Sequence, residues 1–257
     1  MEFIIICITS FGASLLTFFS GFGLGTLLSP VFMLFFPVEI AIALTGIVHL
    51  INNIFKIFLV GKSASKKILL YFGITAVAGA LMGAWLLTKI SHMPVIHSYS
   101  IGDHLFQITV LKLVIAALLV IFSLMDVIPY FEKMQFGKKW LVPGGFISGF
   151  FGGLSGHQGA LRSAFLIKTG ISKQAFIGTT CVISTCVDIS RLSIYSAEFL
   201  KPELLQNIPL IIGAAMAAIA GAILGNKLLK KITITFLQRF VAIMLLVISL
   251  CLGAGLI

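Results

Sequence analysis

The chain has 257 residues, of which 59% are hydrophobic and 10% charged, and its mean hydropathy is +1.15. That composition excludes a soluble globular domain, which needs far more polar surface. Apolar runs of about 20 residues or more recur along the chain, where a membrane barrel would show alternating segments of roughly 10. The net charge of +10 gathers in short loops, as the cytoplasmic loops of a membrane protein require, so the partner it indicates is a lipid bilayer and not nucleic acid.

The first apolar segment covers residues 3–37. As one helix it would be about 50 Å long against a hydrocarbon core of about 30 Å, and "SGFGLGTLLSP" interrupts it partway. The second, residues 39–61, carries His49, Asn52, Asn53 and Lys56 on one helical face. Residues 68–90 and 108–130 form the third and fourth, separated by residues 91–107. A basic linker over 131–140 holds Lys133, Lys138 and Lys139. Four further segments follow at 141–167, 174–198, 204–227 and 234–257.

The second set repeats the first. "SGFGLGTLLSPVFMLFFPVEIA" lines up with "SGHQGALRSAFLIKTGISKQA", "AGALMGAWLLTKI" with "AGAILGNKLLKKI", and "ITVLKLVIAALLVIFSL" with "ITFLQRFVAIMLLVISL". Lys56 falls near Arg191 and Asn53 near Asp188, while residues 91–107 are an insertion in the first copy. The chain therefore reads as two modules, residues 1–130 and 141–257, joined by the linker at 131–140.

Charge sets how the segments lie. Lys62, Lys66 and Lys67 mark one loop as inside, as do Lys133, Lys138 and Lys139, Lys168 with Lys173, and Lys227, Lys230 and Lys231. Loops with Glu39, with Asp103, and with Glu198, Lys201 and Glu203 read as outside. All strongly basic loops fall inside only if residues 141–167 enter and return as a re-entrant hairpin. By the repeat, residues 3–37 form a matching hairpin from outside. Three crossings per module make the modules inverted, with both termini outside. The fold expected is an all-α polytopic membrane protein of two inverted repeats, each a re-entrant broken-helix hairpin plus three transmembrane helices. That is an architecture of secondary transporters, with the site at the repeat interface.

Irregular backbone at membrane depth must be buried in protein or line a polar cavity. A tip at residues 155–159 would start a half-helix near Gly159, whose first N–H groups lack partners and favour an anion. The substrate-binding residues expected there are Ser155, Gly156, His157, Gln158, Gly159 and Arg162, whose fork suits an oxyanion. Ser20, Gly21, Gly23 and Gly25 are expected from the opposite side. His49, Asn53, Lys56, Asp188 and Arg191, on polar stripes inside spans, are expected to serve coupling or the pathway. Thr180, Ser184 and Tyr195 share the second stripe. A proton is the candidate coupling ion, with His49, His157 and Asp188 its possible carriers.

Plainer readings stand beside these. Gly79, Gly83, Gly221 and Gly225 suit close helix packing. Arg162 and Lys56 can snorkel to the inner headgroups, and Asp188 can simply neutralise Arg191. Cys7, Cys181, Cys186 and Cys251 lie in apolar runs as small packing residues, with no metal-ligand spacing, so no metal or cofactor is expected. The N-terminus lacks a basic n-region and cleavage site, so no removed signal peptide is expected.

The glycine-rich "SGFGLGTLLSP" and "GGFISGFFGGLSGHQGALRSAFLI", each followed by an apolar helix, resemble the sulfite exporter TauE/SafE family over nearly the whole chain. The resemblance implies a multi-pass protein of the bacterial plasma membrane that moves sulfite, sulfonates such as sulfoacetate, or related small organic anions, often outward; the substrate expected here is a small sulfur-containing or carboxylic anion. The first module has no cation where Arg162 stands in the second, so the second hairpin is expected to dominate binding. An anion channel is the nearest alternative. A third is an intramembrane serine hydrolase on Gly153-Leu154-Ser155-Gly156, for which His49 is the available base. The chain is otherwise expected not to be an enzyme.

Overall fold

The computed structural model describes residues 1–18, 23–128, 136–199, 206–228 and 234–257. Ser20, Gly21, Lys133, Lys201, Glu203, Lys230 and Lys231 lie outside the described residues, as do the side chains of Glu198 and Lys227. The long apolar runs form helices, because in lipid each backbone N–H and C=O must find its partner within its own segment. Helix α1 spans Glu2–Thr17, α2 Leu24–Met33 and α3 Val38–Val60. Helix α4 runs Lys66–Ser91, with a π-helical turn at Leu69–Gly73. Then come α5 (Val110–Val127), α6 (Leu141–Ser155), α7 (Gly159–Leu166), α8 (Lys173–Phe199), α9 (Ile208–Leu228) and α10 (Ile234–Gly253).

Among the described residues, four stretches are long and apolar enough to cross a membrane: Val38–Ser63, Lys66–Ser91, Lys173–Ser196 and Ile208–Gly225. The chain is an all-α multi-pass membrane protein, as its composition requires. Large apolar side chains face outward along these helices, among them Phe58, Trp85, Ile212 and Met216, which is where lipid takes the place of a core.

Glycine sets how the helices pack. A Cβ on Gly145, Gly149 or Gly153 of α6 would overlap the backbone of Phe72, Ala76 or Ala80 of α4. Gly79 and Gly83 of α4 meet the backbone of Phe146 and Phe150 in the same way. These pairs advance together, so α6 and α4 run parallel at the close approach that small residues permit. Helix α1 does the same on α9, with Phe3 beside Gly213, Phe11 beside Gly221 and Leu15 beside Gly225. The helix that opens residues 1–130 thus lies on a helix of residues 141–257, and the helix that opens residues 141–257 lies on one of residues 1–130.

The helices matched by the sequence repeat run antiparallel to one another. On α3 and α8, Gly46 faces Arg191, His49 meets Asp188, and Val60 abuts Gly178. On α5 and α10, Ser123 donates to the Ala242 carbonyl and Gly253 sits by Ala116. The α6–α7 pair folds back on itself: Phe136 N donates to the Ala164 carbonyl at 3.2 Å, and the Phe136 and Phe165 rings stack at 4.4 Å. Lys67, Lys138 and Thr169 line one cleft at that end.

The insertion at residues 91–107 contains structure that the apolar pattern did not announce. Val95–Ile101 (β1) and His104–Thr109 (β2) pair antiparallel, with Ile101 opposite His104. Gly102, at φ +60, allows the two-residue turn. Tyr99 stacks on Phe106 and its hydroxyl donates to the Ala254 carbonyl, which seats the hairpin against the end of α10.

Candidate functional site

Two polar stripes meet where α3 crosses α8. His49 Nδ1 lies 2.6 Å from Asp188 Oδ2, and since a carboxylate only accepts, that nitrogen carries the proton. The Asn53 amide nitrogen lies 3.2 Å from the His49 Nε2 and donates to it. On the other carboxylate oxygen, Arg191 Nε donates to Asp188 Oδ1 at 3.0 Å and Nη2 lies 2.8 Å away. Asp188 and Arg191 are both fully buried. An isolated charge at this depth would be costly, and each oxygen of Asp188 is matched. The Tyr195 hydroxyl donates to the Gly153 carbonyl and ties this helix to the second hairpin.

The start of α2 and the end of α6 meet beside this network. Gly23, with ψ 144, turns the chain into α2, and Gln158 leads into α7. A Cβ on Gly25 would stand 3.3 Å from the Gly156 carbonyl oxygen. Gly156 ends α6 at φ +81, a left-handed conformation natural to glycine. The N-termini of α2 and α7 therefore come to one region, and the first N–H groups of a helix lack intrahelical partners.

Arg162 projects inward from the first turn of α7. It is buried, and Nη1 donates to Gln158 Oε1 at 3.1 Å and to Ser184 Oγ at 2.6 Å. Its Nε is buried without a hydrogen-bond partner among the described residues. Lys56 is also buried, with Nζ 5.2 Å from the centre of the Phe18 ring. Both line a small cavity between α2, α3, α7 and α8, together with Gly23, His49, Asn53 and Thr180. The cavity volume is about 30 Å³, where one water needs about 10–15 Å³. Two cations stand on its wall, and no carboxylate lines it among the described residues.

The residues named from sequence thus take different places. Gly23, His49, Asn53, Lys56 and Arg162 line the cavity. Gln158 orients Arg162, while Gly25 and Gly156 form the contact between tips. Gly159 opens α7. Asp188 and Arg191 stand behind His49. His157 turns elsewhere: Nδ1 lies 2.9 Å from the Ser155 carbonyl oxygen, and the ring stacks on Phe122 of α5 at 5.7 Å. Ser155 Oγ donates to the Phe151 carbonyl and accepts from His157 N, while the His49 ring is held by Asp188 and Asn53. A serine–histidine pair is not assembled among the described residues. Thr17, Phe18 and Cys181 also line the cavity and were not singled out for it. Cys181 follows Thr180 on the polar stripe, the signal that could have found it.

Neither curated proteins nor solved structures gave a match. The profile described as Sulfite exporter TauE/SafE matches residues 6–252. This chain, a multi-pass membrane protein, belongs to the sulfite exporter TauE/SafE family, a family of membrane transporters of sulfur anions such as sulfite.

Proposed function

We propose that the chain is a secondary transporter that exports a small anion across the bacterial plasma membrane. The anion is sulfite, an organosulfonate, or a related sulfur-containing or carboxylic anion. One observation carries the reading: Lys56 and Arg162 reach the same buried cavity with no carboxylate on its wall among the described residues. Two like charges in low dielectric repel strongly, and an oxyanion between them turns that repulsion into charge-assisted hydrogen bonds. The first-turn N–H groups of α2 and α7 add donors from both sides.

The membrane arrangement proposed has six crossings and two re-entrant hairpins, with inverted modules and both termini outside. The antiparallel course of repeat-matched helices supports the inversion, and the contact of Phe136 with Phe165 supports a second hairpin that returns to its own side. Each module offers one half-helix to the centre, so rocking one module against the other would expose the anion to alternate sides. His49 is placed to couple a proton, since it touches both the cavity and Asp188.

Reconstituted protein should carry sulfite in a saturable, proton-dependent manner. Flux that rises linearly with concentration and ignores pH would sink the carrier in favour of a channel. No flux of any sulfur or carboxylic anion would sink the reading itself.

A further inference from the structure

Lys56 has a counterpart in the second module. The repeat places Arg191 where the first module has Lys56, and Asp188 where it has Asn53. The fold gives this pairing a geometry. Helices α3 and α8 are antiparallel, so Lys56 and Arg191 lie on opposite sides of the His49–Asp188 contact, towards opposite ends of the bundle.

Their surroundings differ in one respect. Lys56 has a neutral Asn53 one turn back and faces a cavity. Arg191 has Asp188 one turn back, with Nε and Nη2 on the same carboxylate oxygen at 3.0 and 2.8 Å. Two glycines keep room for the guanidinium: a Cβ on Gly46 would come within 3.2 Å of its Cζ, and one on Gly156 within 3.0 Å of Nη1. Gly156 is the hairpin tip itself. A guanidinium thus reaches one tip with a carboxylate on it, while an ammonium lies beside the other tip with open space before it.

We propose that Arg191 is an anion ligand of a second half-site, facing the membrane side opposite Lys56, and that Asp188 fills this half-site here as an internal counter-anion. The ligand class is the small oxyanion proposed for the cavity, so the inference rests on that transport reading. A buried arginine requires an anion at all times. Asp188 meets that requirement in the state seen here, and the transported anion meets it when the half-site opens. The first half-site, with Asn53 in place of the carboxylate, depends on the transported anion alone.

Asp188→Asn makes the two modules alike and tests this directly. The protein is purified in detergent and chloride-free buffer, and its thermal unfolding is followed with and without sulfite. Wild type should show one sulfite-dependent rise in Tm, by mass action. Asp188→Asn should melt lower without anion and show about twice the wild-type rise at the same sulfite concentration. The extra rise should vanish in Asp188→Asn/Arg191→Gln. An equal rise in wild type and Asp188→Asn, or an extra rise that survives Arg191→Gln, overturns the proposal. If wild type itself ignores every anion tried, the transport reading fails with it.

A second measurement avoids the stability of Asp188→Asn. In vesicles of defined orientation, Arg191→Lys should raise half-saturation for sulfite at the outer face by about tenfold, the factor for losing about 1.4 kcal/mol. The inner-face value should stay unchanged, and Lys56→Gln should do the reverse. Equal effects at both faces, or none, overturn the proposal.

Discussion

Gly25 and Gly156 stand tip to tip, so close that a Cβ on Gly25 would come within 3.3 Å of the Gly156 carbonyl oxygen. This contact joins the start of α2 to the end of α6. Side chains at either place would separate the half-helix ends that are proposed to share one anion.

Gly156→Ala tests the tip. Its φ of +81 makes a Cβ cost about 1–2 kcal/mol, and the new methyl would crowd Arg191. Thermal unfolding should show that loss, and transport should fall with it. Gly102→Ala is the control. It carries a similar φ of +60 with nothing within 4 Å, so it should loosen the β-hairpin and leave transport intact.

Arg162→Ala should cut anion flux in proteoliposomes by about tenfold to a hundredfold while the protein still inserts. Arg162→Lys should recover little, because Nη1 already serves Gln158 and Ser184 while Nε keeps a further donor for the anion, and an ammonium lacks that fixed second donor. Full flux in either variant would remove Arg162 from the site.

Cys181 offers a probe already in place, since its thiol lines the cavity with Lys56 and Arg162. An anionic sulfonate-bearing methanethiosulfonate should inactivate transport faster than its cationic analogue. Sulfite should protect, and Cys181→Ser should resist. Faster reaction with the cation would contradict a positively charged cavity.

Gly149→Leu and Gly221→Leu should each prevent recovery of folded protein, because their side chains would overlap the backbone of Ala76 and of Phe11. Overpacking of this kind commonly costs about 1–3 kcal/mol or more. Gly12→Ala has open space around it and should raise stability by up to about 1 kcal/mol through helix propensity. Normal yield and melting of Gly149→Leu would show that α4 and α6 do not need close contact.

Lys168→Cys reports the sidedness of the second hairpin. An impermeant maleimide should label it only from the cytoplasmic side. Labelling from outside would refute the inward hairpin.

Much of this was legible in the sequence because membranes impose few choices. Residues 3–37 are too long for one helix, and they form α1 and α2. Gly79 with Gly83 and Gly221 with Gly225, spaced by four, forecast close helix packing, since only small residues let backbones touch, but not which helices meet. Where side chains point was less legible. His157 sits at the tip among the expected ligands, yet one turn of backbone at Gly156 sends its ring to Phe122. Phe18 reaches the cavity through the crossing of helices, which no local pattern encodes. The β-hairpin was missed because residues 91–107 lack apolar length. Its signal was the Gly102-Asp103 turn between alternating side chains.

The packing of α1 on α9 has a consequence for biosynthesis. Helix α1 leaves the ribosome well before its partner α9, which begins at Ile208. Until then α1 is a short helix whose close-packing neighbour does not exist. The glycine faces of α4 likewise wait for α6. Residues 1–130 and 141–257 expressed as two separate chains should therefore be stable only when produced together.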